Sequence, residues 1–520
     1  MIDGVDAYRN YLEDLVITFD LSYNVRFINQ YLDTDELLEY LKATDIYMFT
    51  SKDPNQAVSG TFSYALSCSC PIVASKIPHT MEILSDDVGV LVDIQQPKQF
   101  ADAAIALLQD NNRLEQMGVN AYAKSTPNFW ENCAVKQMRF YEQIVPSLSE
   151  CKLKLPPFKW DHLKKLTNEA GLLQFSNISE PHLASGLTLD DNARALIAMS
   201  LHYKAFSDDE VFPYLLLYLE FITKCQLEDG SFLNYFTEHN QIDPRNFEEN
   251  LEDANGRAIW ALGTLISIAD SKTESFAAQA TRSLFKALPS LYKLKSPRAI
   301  AFCIKGLHAA YHADDDPRLL DLIGYLGEHL ARIYEENATE NWSWFENKMT
   351  YANAILPEAV LLTYDLYPEK RYRDIAVESM QFLSDKMFVN GKFKVISNKG
   401  WYEKGTIPQE YGEQPIDVCY MMVALDNFYQ LLDDEVYKIQ LQQAFEWYLG
   451  RNHLNHIMYN PLTGSCFDGL EKYNVNLNQG AESSVCYLIS WLVALQYFQQ
   501  EKKTIPLYYS SLQKALSYLL

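Results

Sequence analysis

The period of the apolar residues changes part-way along the chain, and the change divides the sequence into two unlike parts. Over residues 1–150, short apolar runs alternate with stretches of helical spacing. The runs are NVRFIN (24–29), IYMFTS (46–51), PIVAS (71–75) and VGVLVD (88–93); between them lie DELLEYLKAT, SGTFSYALSC and PHTMEILS. The runs read as buried strands, and this alternation predicts a parallel, doubly wound sheet. Further helices are expected at 97–110, 112–124 and about 129–145.

Residues 151–165, with two adjacent prolines and several lysines, read as a linker and lead-in helix. Beyond them strand-like alternation nearly vanishes. Helical periodicity recurs at 192–206, 210–226, 253–270, 273–292, 297–313, 316–336, 350–367, 369–386, 414–432, 434–450, 480–500 and 504–519. These twelve segments form six pairs. Odd segments, such as EDANGRAIWALG and QGAESSVCYLISWLVAL, are apolar or small nearly all round, as a fully buried helix should be. Even segments, such as DDEVYKIQLQQAFEWYLG, keep a charged face. An inner ring of six helices wrapped by an outer ring meets both requirements. The expected architecture is therefore multidomain: an α/β Rossmann-like half domain over 1–150, then an all-α (α/α)6 toroid over 166–520.

Loops entering the inner helices are the long ones, at 227–252, 337–349, 387–413 and 451–479, and they gather at the inner-helix N-termini. They carry Gly, Asn, Trp, Tyr and carboxylates. Long loops within a compact domain point to function.

Composition narrows the partners. A formal net charge of -24 disfavours nucleic acid and anionic membranes. Aromatic residues make up 13% of the chain, enough to line a sugar cleft or to fill helix interfaces. The nine cysteines are odd in number and mostly scattered through helical runs, and Cys68 and Cys70 have no second pair, so neither a zinc site nor a disulfide framework is expected. No apolar run is long enough to span a membrane, and the start lacks a leader-type apolar stretch. A reduced, cytoplasmic protein is the expectation, with no cofactor.

The run DIYMFTSKDPNQAVSGTFSYALSCSCPIVASKIPHTMEILSDDVGVLVD resembles the second half of the sugar-nucleotide domain of family 4 glycosyltransferases. The resemblance covers about 130 residues; the acceptor domain and the first donor-domain strand are not among them. It implies two donor-binding glutamates, eight positions apart, where this chain has Gln56 and Tyr64, and a turn glycine where it has Ser69. The resemblance therefore implies a retained scaffold rather than an intact transferase, with SGT at 59–61 left as a weak anion site. The motifs LTLDDNARAL, NWSWFENKMTYANAILPEA, PQEYGEQPID, WYLGRN and NVNLNQGAESS resemble the toroid that follows such domains in some bacterial proteins. Six-hairpin toroids of this kind occur in glycoside hydrolases, sugar phosphorylases and sugar epimerases. One fold hosts many functions, so the activity has to come from the site.

Glycoside cleavage needs one carboxyl as proton donor and a second as base or nucleophile. Catalytic candidates are Asp190, Asp191, Glu346, Glu413 and Glu482. Asp190 and Asp191 open the first inner helix, where capping accounts for one aspartate better than for two. Glu252 and Asp253 repeat the pattern, with Arg257 one turn along to pair with either. Glu346, among Trp342, Trp344 and Phe345, is placed for a raised pKa and a general-acid role. Glu410, Glu413 and Asp417 cluster in PQEYGEQPID, and Asp468 and Glu482 flank the last inner helix. The expected substrate-binding set is Asp253, Arg257, Trp342, Trp344, Asn353, Trp401, Glu410, Tyr411, Asp417 and Asp468. Arg194 and Arg298 are read mainly as ion-pair partners. His453 and His456 have i,i+3 spacing but no third ligand, so no metal site is expected. The expected function is a glycosidase- or phosphorylase-like enzyme acting on a neutral glycan. Its alternatives are a glycan-binding scaffold, acting with a separate glycosyltransferase chain or as a homo-oligomer, and a family 4-like transferase with a degraded donor motif.

Overall fold

The computed structural model describes residues 6–145, 148, 154–389 and 391–498. The chain divides into two compact units, Met1–Pro127 and Asn128–Leu520.

In the first unit, strands β1 (Tyr47–Phe49), β2 (Ile72–Ser75) and β3 (Gly89–Val92) form a parallel sheet in the order β1-β2-β3. Its helices are α1 (Ala7–Thr18), α2 (Thr34–Lys42), α3 (Gly60–Ser67), α4 (Pro78–Ile83), α5 (Pro97–Leu108) and α6 (Asn111–Ser125). Successive residues of β2 point to opposite faces, and both faces are covered. Ile72 and Ala74 pack with Phe49, Phe62 and Leu66, while Val73 packs with Val92, Phe100 and Leu107. The run NVRFIN is not a strand: Val25 and Ile28 are exposed, and no described strand lies beside it. Ser69, at the position where the family resemblance puts a glycine, holds a left-handed φ of 61°. That conformation is the reason glycine suits such a turn.

The second unit begins with α7 (Trp130–Ile144), which the sequence grouped with the first part. Polar ties explain its place: Asn132 accepts from the buried Ile457 N–H at 2.8 Å, and Glu142 pairs with Arg451 at 3.0 Å. After α8 (Asp161–Leu166) come α9 (Leu189–Phe206), α10 (Phe212–Cys225), α11 (Glu252–Ser267), α12 (Glu274–Leu291), α13 (Pro297–Tyr311) and α14 (Pro317–Asn337). They continue with α15 (Ile355–Leu366), α16 (Lys370–Met387), α17 (Pro415–Leu432), α18 (Glu435–Tyr448) and α19 (Ala481–Phe498). The odd-numbered helices α9 to α19 pack each against the next, and α19 packs back on α9, closing the inner ring. Even-numbered α10 to α18 lie outside it. The twelfth expected helix, 504–519, lies outside the described residues. Between α11 and α13 the backbones nearly touch: a Cβ on Gly263 would sit 1.9 Å from the Gly306 carbonyl oxygen.

Candidate active site

Carboxylates from three successive inner helices meet at one pocket of about 350 Å³. Glu482 on α19, Asp190 on α9 and Asp253 on α11 each stand in the first turn of their helix. Arg194 and Arg257, one turn further along α9 and α11, complete that wall. Two short antiparallel ladders hold the loops around it. Pairing of Leu187–Thr188 with Tyr235–Phe236 brings Tyr235 beside the start of α9, and pairing of Lys348–Met349 with Tyr402–Glu403 brings Tyr351 and Trp401 together. Asn234, Asn250 and Gln414 supply neutral polar groups to the lining.

The charges are wired across helices. Arg194, buried, donates to Asp191 at 2.9 Å, to Glu482 at 2.8 Å and through Nε to the Tyr420 hydroxyl at 3.1 Å. Arg257 donates to Asp190 at 2.7 Å. Each guanidinium thus reaches the preceding helix of the ring. Burial pushes the Asp190 carboxyl up, but Arg257 and Arg194 outweigh it and hold the group below the usual carboxylate range. Asp191 lies behind the lining, where burial raises its carboxyl to about 6 despite Arg194. The N-cap of α9 is Thr188 rather than either aspartate. Asp253 accepts from the Tyr351 hydroxyl and, at 2.6 Å, from Ser296 Oγ. Glu252 accepts the backbone N–H groups of Lys295 and Ser296 at 2.8 and 2.7 Å, which ties α11 to the start of α13. Arg257 therefore pairs with neither carboxylate of its own helix.

Several expected site residues stand elsewhere. Glu346 accepts from Arg298 at 2.6 Å and lines a separate depression with Asn347, Lys348, Glu403 and Lys404. Trp342 and Trp344 are buried and offer no open ring face: Trp342 packs on Phe382 and Tyr402 and donates to the Glu346 backbone oxygen at 2.7 Å, and Trp344 packs on Phe345. Asn353 uses both ends of its amide on the backbone of Thr350, at 3.0 and 2.6 Å. Glu413 is buried, accepting from Trp447 Nε1 at 2.8 Å and facing His453 at 3.6 Å. Glu410 is exposed beside Lys394, and Tyr411 packs against His453. Asp417 is buried in the first turn of α17; burial drives its carboxyl to about 7 against the pull of the Ala352 and Asn353 N–H groups. Asp468 is raised to about 6 by burial and accepts the Gly480 N–H at 2.8 Å. His453 and His456 bond to different backbone carbonyls, those of Glu471 and Ile457.

Of the expected residues, the pocket brings together Asp190, Glu482, Asp253, Arg257 and Trp401, with Arg194 beside them. Asn234, Tyr235, Asn250, Tyr351 and Gln414 line it too and were not singled out. Tyr235 lies in the long loop 227–252, but no local pattern distinguishes it from its neighbours there. In the first unit, the Gln56 amide is used on Ser51 and on the Val58 carbonyl, and Tyr64 is an exposed ring on α3.

The mostly helical second part has the six-hairpin toroid fold, and the first part has a glycosyltransferase-type parallel sheet. Residues 2–124 match the family model described as "Glycosyl transferases group 1". A D-inositol 3-phosphate glycosyltransferase of Xylanimonas cellulosilytica is 31% identical over 110 residues, covering 21% of this chain and 26% of that protein. The corresponding Corynebacterium diphtheriae protein is 28% identical over 150 residues, covering 28% of this chain and 34% of its own. The chain thus spans about a quarter to a third of the length of these relatives. Among solved structures, cellobiose 2-epimerase from Bacillus thermoamylovorans superposes with a TM-score of 0.51 at 11% identity, covering 69% of this chain and 99% of that one. At that identity the likeness concerns the fold. Among the described residues, no helix is long and apolar enough to cross a membrane.

Proposed function

We propose that the toroid is a carbohydrate-active domain whose ring pocket takes a neutral glycan and cleaves a glycosidic bond with paired carboxylates. The observation that carries this is the convergence of Glu482, Asp190 and Asp253 on one pocket walled by Tyr235, Tyr351 and Trp401. Aromatic rings suit the C–H faces of sugars, and carboxylates accept from hydroxyls. The Glu482 side chain is 39% exposed, against 25% for Asp190, and with Asp253 two helices along the ring Glu482 forms the reacting pair. Asp190 stands between them, fixed on Arg257, and accepts a sugar hydroxyl.

Charge favours water over phosphate as the attacking group. Three carboxylates (Asp190, Asp253, Glu482) face two guanidiniums (Arg194, Arg257), so acidic groups outnumber basic ones in the lining. Both guanidiniums are already paired. Epimerisation through proton abstraction from carbon needs a base poised near neutrality. Among the described lining residues there is no histidine, and Asp190 is held low.

One observation supports a second reading, binding without catalysis: Asp190, Asp253 and Glu482 each already accept a hydrogen bond from the protein. For the first unit, the group 1 match supports a sugar-nucleotide-type scaffold. Gln56 and Tyr64 at the donor-contact positions argue against transfer by this chain.

The test is a panel of neutral and phosphorylated oligosaccharides offered to the full chain, read by thermal shift and product analysis. Neutral oligosaccharides should raise the melting temperature and give products without added phosphate. Stabilisation by phosphorylated sugars alone would contradict a neutral-glycan site.

A further inference from the structure

The end of the inner ring away from the pocket holds a second cluster of chemistry-bearing side chains. His308, in the last turn of α13, and His312, the C-cap residue one turn on and still helical in backbone, share a face. Asp365, near the end of the adjacent inner helix α15, faces them. Arg298, at the pocket end of α13, is ten residues before His308, which is about 15 Å along the helix axis.

The three ligand-type atoms form a nearly equilateral triangle. His308 Nε2 lies 2.8 Å from Asp365 Oδ2, His312 Nε2 lies 3.2 Å from the same oxygen, and the two ring nitrogens are 3.1 Å apart. Hydrogen bonds do not satisfy all three contacts when Asp365 is ionised. If both rings donate to Asp365, two N–H groups oppose each other across the nitrogen–nitrogen contact. If either ring nitrogen is unprotonated, its lone pair faces the carboxylate. A cation at the centre of the three removes this conflict, because each atom then offers it a lone pair. The spacing also fits: tetrahedral zinc, at about 2.0–2.1 Å from nitrogen and oxygen ligands, separates them by about 3.3 Å.

We propose that His308 Nε2, His312 Nε2 and Asp365 Oδ2 form a binding site for one divalent first-row transition ion of the zinc type. Two imidazoles and a carboxylate suit zinc, cobalt or nickel better than calcium or magnesium, which prefer oxygen ligands. His312 is 53% exposed, so an ion has a route in and a fourth coordination position can reach solvent. Lys305, one turn earlier on α13, is engaged with Glu358 and does not compete for Asp365. The bound ion would clasp α13 to α15.

The experiment uses the full chain, stripped with chelator and titrated with Zn²⁺ by calorimetry and with Co²⁺ by visible absorption. One Zn²⁺ per chain is expected, together with the visible bands of low-symmetry Co²⁺ and a rise in melting temperature on adding metal. His312→Ala, at an exposed position that leaves the core intact, should bind Zn²⁺ at least about tenfold more weakly, and Asp365→Asn should do the same. Equal zinc binding by wild type and His312→Ala would place the metal elsewhere and overturn the assignment. Absence of zinc binding by the wild-type chain would also overturn it.

Discussion

Arg257 on α11 pairs with Asp190 on α9, Nη1 to Oδ1 at 2.7 Å, and leaves Asp253, one turn before it on its own helix, to the Tyr351 and Ser296 hydroxyls. Arg194 repeats the move, reaching from α9 to Glu482 on α19. The two crossed pairs join three inner helices into one wall. They also hold their carboxylates where the pocket needs them, at first turns that already favour negative charge.

Removing the guanidinium should therefore cost more than a surface pair would. Arg257→Met leaves Asp190 largely buried without its partner, and the expected loss is about 3 kcal/mol of unfolding free energy. The double change Arg257→Met with Asp190→Asn should recover part of it. Urea denaturation of the three variants reads both effects; a single-variant loss below about 1 kcal/mol would show that the pair does not support the wall.

Asp417 gives a pH prediction. Its folded carboxyl titrates near 7, whereas an unfolded aspartate titrates near 3.9. Between those values the folded chain binds the extra proton, so this group makes stability fall as pH rises from about 4 to 7. Asp417→Asn keeps an oxygen for the Ala352 and Asn353 N–H groups and removes the titration. The stability of Asp417→Asn relative to wild type should rise across that window, reach on the order of 4 kcal/mol by pH 8, and be near zero at pH 4. A difference that does not change with pH would contradict the buried, protonating carboxyl.

The ring itself was legible because its signals are local. Helices buried all round and helices with one charged face differ in composition, and α9 to α19 follow the expected segments closely. The wall of the pocket was less so. Pairing of Arg257 with Asp190 depends on which helix is its neighbour and on Asp253 being taken by Tyr351 from a distant loop, and neither is written in the spacing EDANGR. Trp342 and Trp344 have the composition of a sugar platform, yet both turn inward, Trp342 packing on Phe382 and Trp344 on Phe345. The run NVRFIN has strand-like residues but no strand to pair with. Asp190, Glu482 and Trp401 line the pocket because the first turns of inner helices and the long loops entering them converge on one end of the ring, a convergence that follows from the order of helices and loops along the chain.

The place of α7 yields a boundary prediction. A fragment starting at Asn128 should fold cooperatively with strong helical dichroism. One starting at Lys152 loses the Asn132 and Glu142 partners of Ile457 and Arg451, at 2.8 and 3.0 Å. It should be destabilised by at least about 2 kcal/mol, mostly from the unsatisfied buried N–H and the lost packing. Equal melting of the two fragments would show that α7 is dispensable.

The central claim is that Glu482 works chemically on a neutral glycan. The most direct measurement is turnover by Glu482→Gln of whichever oligosaccharide the wild-type chain cleaves. Glutamine is nearly isosteric and Arg194 keeps Asp191, so stability should stay within about 1 kcal/mol of wild type. The rate should fall roughly 100-fold to 10,000-fold while the sugar still raises the melting temperature. Turnover by Glu482→Gln at the wild-type rate would contradict the claim.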